Sequence, residues 1–146
     1  MSRRDIINQF LTAAGNGDEN TVRSLLLTSQ VNINDKDDRG YTALMSAAIN
    51  NKESIVSLLI NKGADINDED NNGWTALMIA AKYNNKSMVS LLIDKGADIN
   101  IKRNFDGETA SMSAARNNRE SIVSLLIDKG ADINMKNNVS IIVFKL

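Results

Sequence analysis

The side chains with chemical potential in this chain are mostly carboxylates, and several sit in clusters beside glycine. Asp68-Glu69-Asp70-Asn71-Asn72-Gly73 places oxygen ligands at positions 1, 3 and 5 of a loop, with Gly at position 6. That is how a helix–loop–helix calcium site begins. The twelfth position should then be a bidentate Glu, and here it is Ile79. The related run from Asp35 to Gly40 has Arg39 at position 5 and Ser46 at position 12. A cation among the ligands and a missing closing carboxylate argue against calcium, so both runs read as turns. The other carboxylates recur with the same turns, which marks them as solvated caps rather than acid–base pairs. The chain has no His and no Cys. Ser–His and Cys–His nucleophiles, the usual zinc and iron–sulfur sites and disulfides are therefore excluded. No motif points to a Ser–Lys nucleophile. The expectation is a non-enzyme with no catalytic residue, no metal and no cofactor, whose function lies on a surface.

Asn85-Lys86-Ser87 and Asn138-Val139-Ser140 match the N-glycosylation acceptor pattern. The segment from Met1 to Leu11 carries Arg3 and Arg4 but no long apolar region, so it does not read as a secretory signal. No stretch approaches the roughly 18 apolar residues of a membrane span. The expected location is a reducing compartment, the cytoplasm. A net charge of −1, from 17 basic and 18 acidic residues, leaves no electrostatic footprint for nucleic acid or an anionic membrane.

The elements that carry these turns repeat. ESIVSLLINKGADIN begins at Glu53, KSMVSLLIDKGADIN at Lys86 and ESIVSLLIDKGADIN at Glu120, spaced by 33 and then 34 residues. Self-similarity at this period marks a stacked array whose single unit cannot bury its apolar face alone. Within residues 70–102, Asp70 to Gly73 forms a turn, with Gly where positive φ costs little. Thr75 is placed to cap a short helix from Ala76 to Tyr83. Ala80 and Ala81 allow close helix approach. After a polar link, a second helix runs from about Ser87 to Asp94, with Met88, Val89, Leu91, Leu92 and Ile93 apolar. Gly96 follows as a helix-ending glycine. Helices of two or three turns are marginal alone, so stacking is obligatory.

This pattern resembles the ankyrin repeat, in which a glycine turn, a Thr-Pro-Leu-His helix start, an alanine pair, a Val-x-x-Leu-Leu helix and Gly-Ala-Asp-Val-Asn follow in order. The helix starts here read Thr42-Ala43-Leu44-Met45, Thr75-Ala76-Leu77-Met78 and Thr109-Ala110-Ser111-Met112. The resemblance covers roughly residues 4–136 and implies an all-α solenoid of four stacked helix-turn-helix units with short turn connections. The expected division is one domain over 1–146. Within it, 1–36 is an N-terminal capping repeat, 37–69, 70–102 and 103–136 are repeats, and 137–146 is a truncated C-terminal cap or tail. Ala replaces the family's Pro at Ala43, Ala76 and Ala110. Met replaces its His at Met45, Met78 and Met112, which shifts the load to apolar packing. Ser111, where Leu44 and Leu77 stand, weakens the fourth core.

Because repeat scaffolds host many partners, the resemblance implies binding without naming the ligand. It places the binding groove on turn tips and the outer part of each first helix. In register, those positions hold Arg39, Tyr41 and Ile49, then Trp74, Lys82 and Tyr83, then Phe105, Glu108 and Arg116, with a one-residue insertion near Arg103. Four of the six aromatics fall here; Phe10 takes a core slot and Phe144 lies in the tail. Trp, Tyr and Arg are enriched at interface hot spots. The plainer account is that these rings only pack over neighbouring turns. The expected function is non-catalytic recognition of a partner protein through this groove. Two alternatives stand beside it: a structural module that stacks into a homo-oligomer through its C-terminal end, and a regulatory or inhibitory subunit of immunity or effector type. The apolar tail from Val139 to Leu146 reads either as a folded-back cap or as the docking surface of the first alternative.

Overall fold

Among the described residues, eight α-helices in four consecutive pairs follow from the repeated capping and packing signals. The computed structural model describes residues 1–134, so the readings of 137–146 lie outside the described residues. The helices are α1 (Arg3–Asn16), α2 (Glu19–Leu27), α3 (Ala43–Ile49), α4 (Glu53–Asn61), α5 (Ala76–Lys82), α6 (Lys86–Asp94), α7 (Ala110–Arg116) and α8 (Glu120–Asp128). No strand occurs among the described residues. Each internal first helix starts at a threonine. The side chains of Thr42, Thr75 and Thr109 accept from the backbone N–H of Met45, Met78 and Met112 at 3.2, 3.3 and 3.3 Å. This satisfies one of the four N–H groups that a helix start leaves unpaired. α1 is twice as long as its counterparts, at 14 residues against 7, and opens at Ser2 in a capping box with Asp5. Hydrogen bonds from Ser2 hold the Asp5 carboxyl below its usual range.

Both helices of a unit end in a left-handed residue. Gly63, Gly96 and Gly130 have φ between 95° and 105°. Their N–H groups donate to Ile60, Ile93 and Ile127, and the following alanines donate to Leu59, Leu92 and Leu126. These paired bonds close the carbonyls left at a helix end. The first unit lacks that glycine and closes the same way on Ser29, at φ 57°. The first helices end on Gly17, Asn51, Asn84 and Asn118, also at positive φ. Asparagine is one of the few residues besides glycine that visit this region routinely.

First helices pack in series, α1 on α3, α3 on α5 and α5 on α7, and each pairs with the second helix of its own unit. The core is one continuous cluster. Ala47, Ala48, Ala80 and Ala81 are fully buried between the first helices, while Ile55, Leu59, Met88 and Leu92 fill the space beneath them. Met45, Met78 and Met112 are buried to 1 % exposure or less, so apolar packing holds the positions where the ankyrin pattern has histidine. A ladder of side-chain amides crosses between units. Asn34, Asn67 and Asn100 each accept, at 2.9 Å, the backbone N–H of the aspartate one unit on: Asp65, Asp98 and Asp132. The recurring asparagine at this position of the repeat supplies the acceptor of this bond.

Candidate recognition groove

The turns that present the groove are built by their own carboxylates. Asp37 Oδ1 accepts from the N–H of Arg39 and of Tyr41, and Asp70 Oδ1 from the N–H of Asn72 and of Trp74, all at 2.9 Å. The third-position carboxylates of the calcium-like runs are thus bonded into the turn. Among the described residues, no group of three or more acidic side chains is placed to hold a metal ion. Adjacent turns are tied by Asn71, whose N–H donates to Arg39 O at 3.0 Å and whose side chain donates to Asp38 O at 2.8 Å.

On this frame the expected residues come together over two units. Asp38, Arg39, Tyr41, Trp74, Lys82 and Tyr83 line one depression of about 370 Å³. Trp74 also borders a second, of about 500 Å³, with Arg103 and Phe105. Its ring is the ridge between them. Cations lie over the rings: Arg39 Cζ is 4.9 Å from the Tyr41 centroid, and Lys82 Nζ is 5.0 Å from Trp74 and 5.5 Å from Tyr83. Such contacts are worth roughly 0.5–1 kcal/mol at exposed sites, enough to favour cations over the ring faces. Tyr83 and Phe105 are exposed, at 51 % and 81 %. Tyr41, Ile49 and Trp74 are half-buried against the core, so each carries part of the packing role as well as an accessible edge. Burial, reinforced by the charge of Asp70, pushes the Tyr41 phenol up.

Glu108 departs from the expectation of an exposed contact. Register with Tyr41 and Trp74 places it on the groove, yet it is 1 % exposed. The physical reason is the rebuilt turn. Arg103 stands where Asp37 and Asp70 stand, and the inserted residue brings Asp106 beside the turn glycine. Asp106 then holds the Arg103 guanidinium at 3.1 and 2.9 Å and accepts the Glu108 N–H at 3.0 Å. The Glu108 carboxylate pairs with Arg116 at 3.2 Å, whose side chain stays 55 % exposed. Burial pushes the Glu108 carboxyl above its ordinary value; Arg116 opposes that rise and Asp106 adds to it.

Arg103 is the residue that register alone missed. It is buried, with its Cζ 4.6 Å from the Trp74 ring and 5.8 Å from that of Phe105. It braces the central aromatic from the side of the next unit. Its signal was the exchange of Asp for Arg at the first turn position together with a new Asp three residues on.

Paired helices stacked in one line, joined by short turns, define an all-α repeat solenoid. The family described as ankyrin repeats (3 copies) matches residues 10–103 and 70–137. The chain belongs to the ankyrin-repeat family, whose members are generally protein–protein interaction modules. No curated protein matches the chain. Among the described residues, no helix is long and apolar enough to cross a membrane.

Proposed function

We propose that this chain is a non-catalytic recognition module that binds a partner protein through the concave groove of its turn tips and first helices. One observation carries the reading: Tyr41, Trp74 and Tyr83 gather around a single depression with Arg39 and Lys82 over their faces. Rigid aromatics beside cations are the composition of interface hot spots, where a few residues supply most of the affinity. The whole chain acts as one domain in this account, with 1–36 as a capping repeat.

The test starts from a partner captured from native lysate and titrated by calorimetry. Tyr83→Ala removes an exposed ring, so it weakens binding at least tenfold, or about 1.4 kcal/mol, with little change in the thermal midpoint. Trp74→Ala weakens binding at least as much but also lowers the midpoint, since that ring packs on the core and on Arg103. A partner whose affinity survives both changes uses another face, and the groove reading is then wrong.

A further inference from the structure

The groove sorts its charges by sign, and the sorting is not visible in the net charge of −1. Its carboxylates other than Asp38 turn inward. Asp37 and Asp70 are bonded to turn amides, Asp70 is 9 % exposed, and Glu108 is buried. Asp38 borders the depression and is exposed, and its charge is offset by a pair with Arg4 at 3.4 Å. The cations face outward. Arg39 touches Asp37 at 3.4 Å and Arg116 touches Glu108 at 3.2 Å. Their side chains stay 76 % and 55 % exposed while those carboxylates are only 14 % and 2 % exposed, so the accessible charge is the cation's. Lys82 lies between Trp74 and Tyr83, and among the described residues no carboxylate forms an ion pair with it. A cation already held over an aromatic face disfavours a cationic ligand and leaves a carboxylate as the complementary group.

We propose that the groove takes an extended acidic peptide segment of a partner protein, one carboxylate entering between Arg39 and Lys82 and a second reaching Arg116, with apolar side chains against Trp74 and Tyr83. This rests on the groove being the binding face. The spacing follows from the fold. Lys82 and Arg116 are the last residues of α5 and α7, neighbouring helices that pack directly. Packed helix axes lie about 8–10 Å apart, and three residues of extended chain span about 10 Å. The segment therefore carries Asp or Glu at every third position.

A random dodecapeptide library displayed on phage, selected against the immobilised full chain, tests this. Recovered peptides are then measured by fluorescence anisotropy against Lys82→Glu, Lys82→Gln, Tyr83→Ala and the remote control Lys62→Glu. The expected result is peptides rich in Asp and Glu at three-residue spacing. Their affinity falls at least tenfold in Lys82→Glu, several-fold in Lys82→Gln and several-fold between low and high salt, where exposed charges are screened. Lys62→Glu leaves it unchanged. Neutral or basic peptides that still lose affinity in Tyr83→Ala overturn the acidic specificity and leave the groove standing. Recovery of no peptide, or of peptides indifferent to both Tyr83→Ala and Lys82→Glu, overturns both.

Discussion

Glu108 is the residue least at ease with its surroundings. A carboxylate at 1 % exposure loses most of its hydration, and its partner Arg116 stays largely in water, which weakens the pair. Burial therefore raises its pKa above the ordinary 4.5 despite Arg116. The sign of the linkage follows. In the window above 4.5 the folded chain holds a proton that the unfolded chain has released, so stability falls as pH rises through that window. Glu108→Gln removes the charge and keeps the shape. Its thermal midpoint at pH 7 should exceed that of the parent, and the difference should shrink towards zero as the pH is lowered below the ordinary carboxylate value. A lower midpoint at pH 7 would mean that the ion pair outweighs burial. At this scale the sequence was readable for Tyr83 and Phe105, whose exposure follows from register. It was misleading for Glu108, because a single inserted residue let Arg103 and Asp106 rebuild the turn.

Among the elements, the helix ends and turns separate two costs that glycine usually hides together. Gly63 ends α4 at φ +95°, and an added Cβ there would meet nothing within 4 Å. Gly63→Ala should therefore cost only backbone strain, about 1–2 kcal/mol. Gly40 has φ +79°, and a Cβ would lie 2.6 Å from both the backbone N and the Oδ1 of Asn71. Gly40→Ala must in addition displace the Asn71 bonds that join two turns, and should cost about 1–3 kcal/mol more. Urea denaturation of the two variants measures the difference, and equal losses would show that the turn-to-turn bonds carry no load. The glycine ends were legible because a Lys-Gly-Ala run after an apolar stretch is a strong stop signal. Asn51, Asn84 and Asn118 read only as polar linkers, since nothing local distinguishes a left-handed asparagine from a solvated one. The Asn34, Asn67 and Asn100 ladder was hidden for another reason: its acceptor and donor lie about one period apart, and only stacking brings them together.

For the whole molecule, stacking in one line means that each unit draws its stability from itself and its neighbours. α3 and α5 are packed on both sides by other first helices. The fourth unit carries the weakest interior: Ser111 and Ser113 are buried at 2 % and 0 % exposure, and their hydroxyls make no hydrogen bond among the described residues. A buried, unsatisfied hydroxyl costs about 1–3 kcal/mol. Native-state hydrogen exchange should accordingly be slowest in α3 to α6 and faster in α7 and α8. Ser111→Ala deletes the hydroxyl without adding volume. It should slow exchange in α7 and α8 by about fivefold or more, matching a gain of at least 1 kcal/mol. The effect should diminish through α5 and vanish in α1 and α2, because the N-terminal unit meets the change only through two intervening units and three interfaces. If all eight helices slowed by the same factor, the array would open as one cooperative block, and a change in the fourth unit would stabilise the groove between Tyr41 and Tyr83 as strongly as its own core. Graded protection instead would leave the Tyr41–Tyr83 part of the recognition face insulated from the fourth unit, so that only contacts to Arg116 would feel opening of that unit.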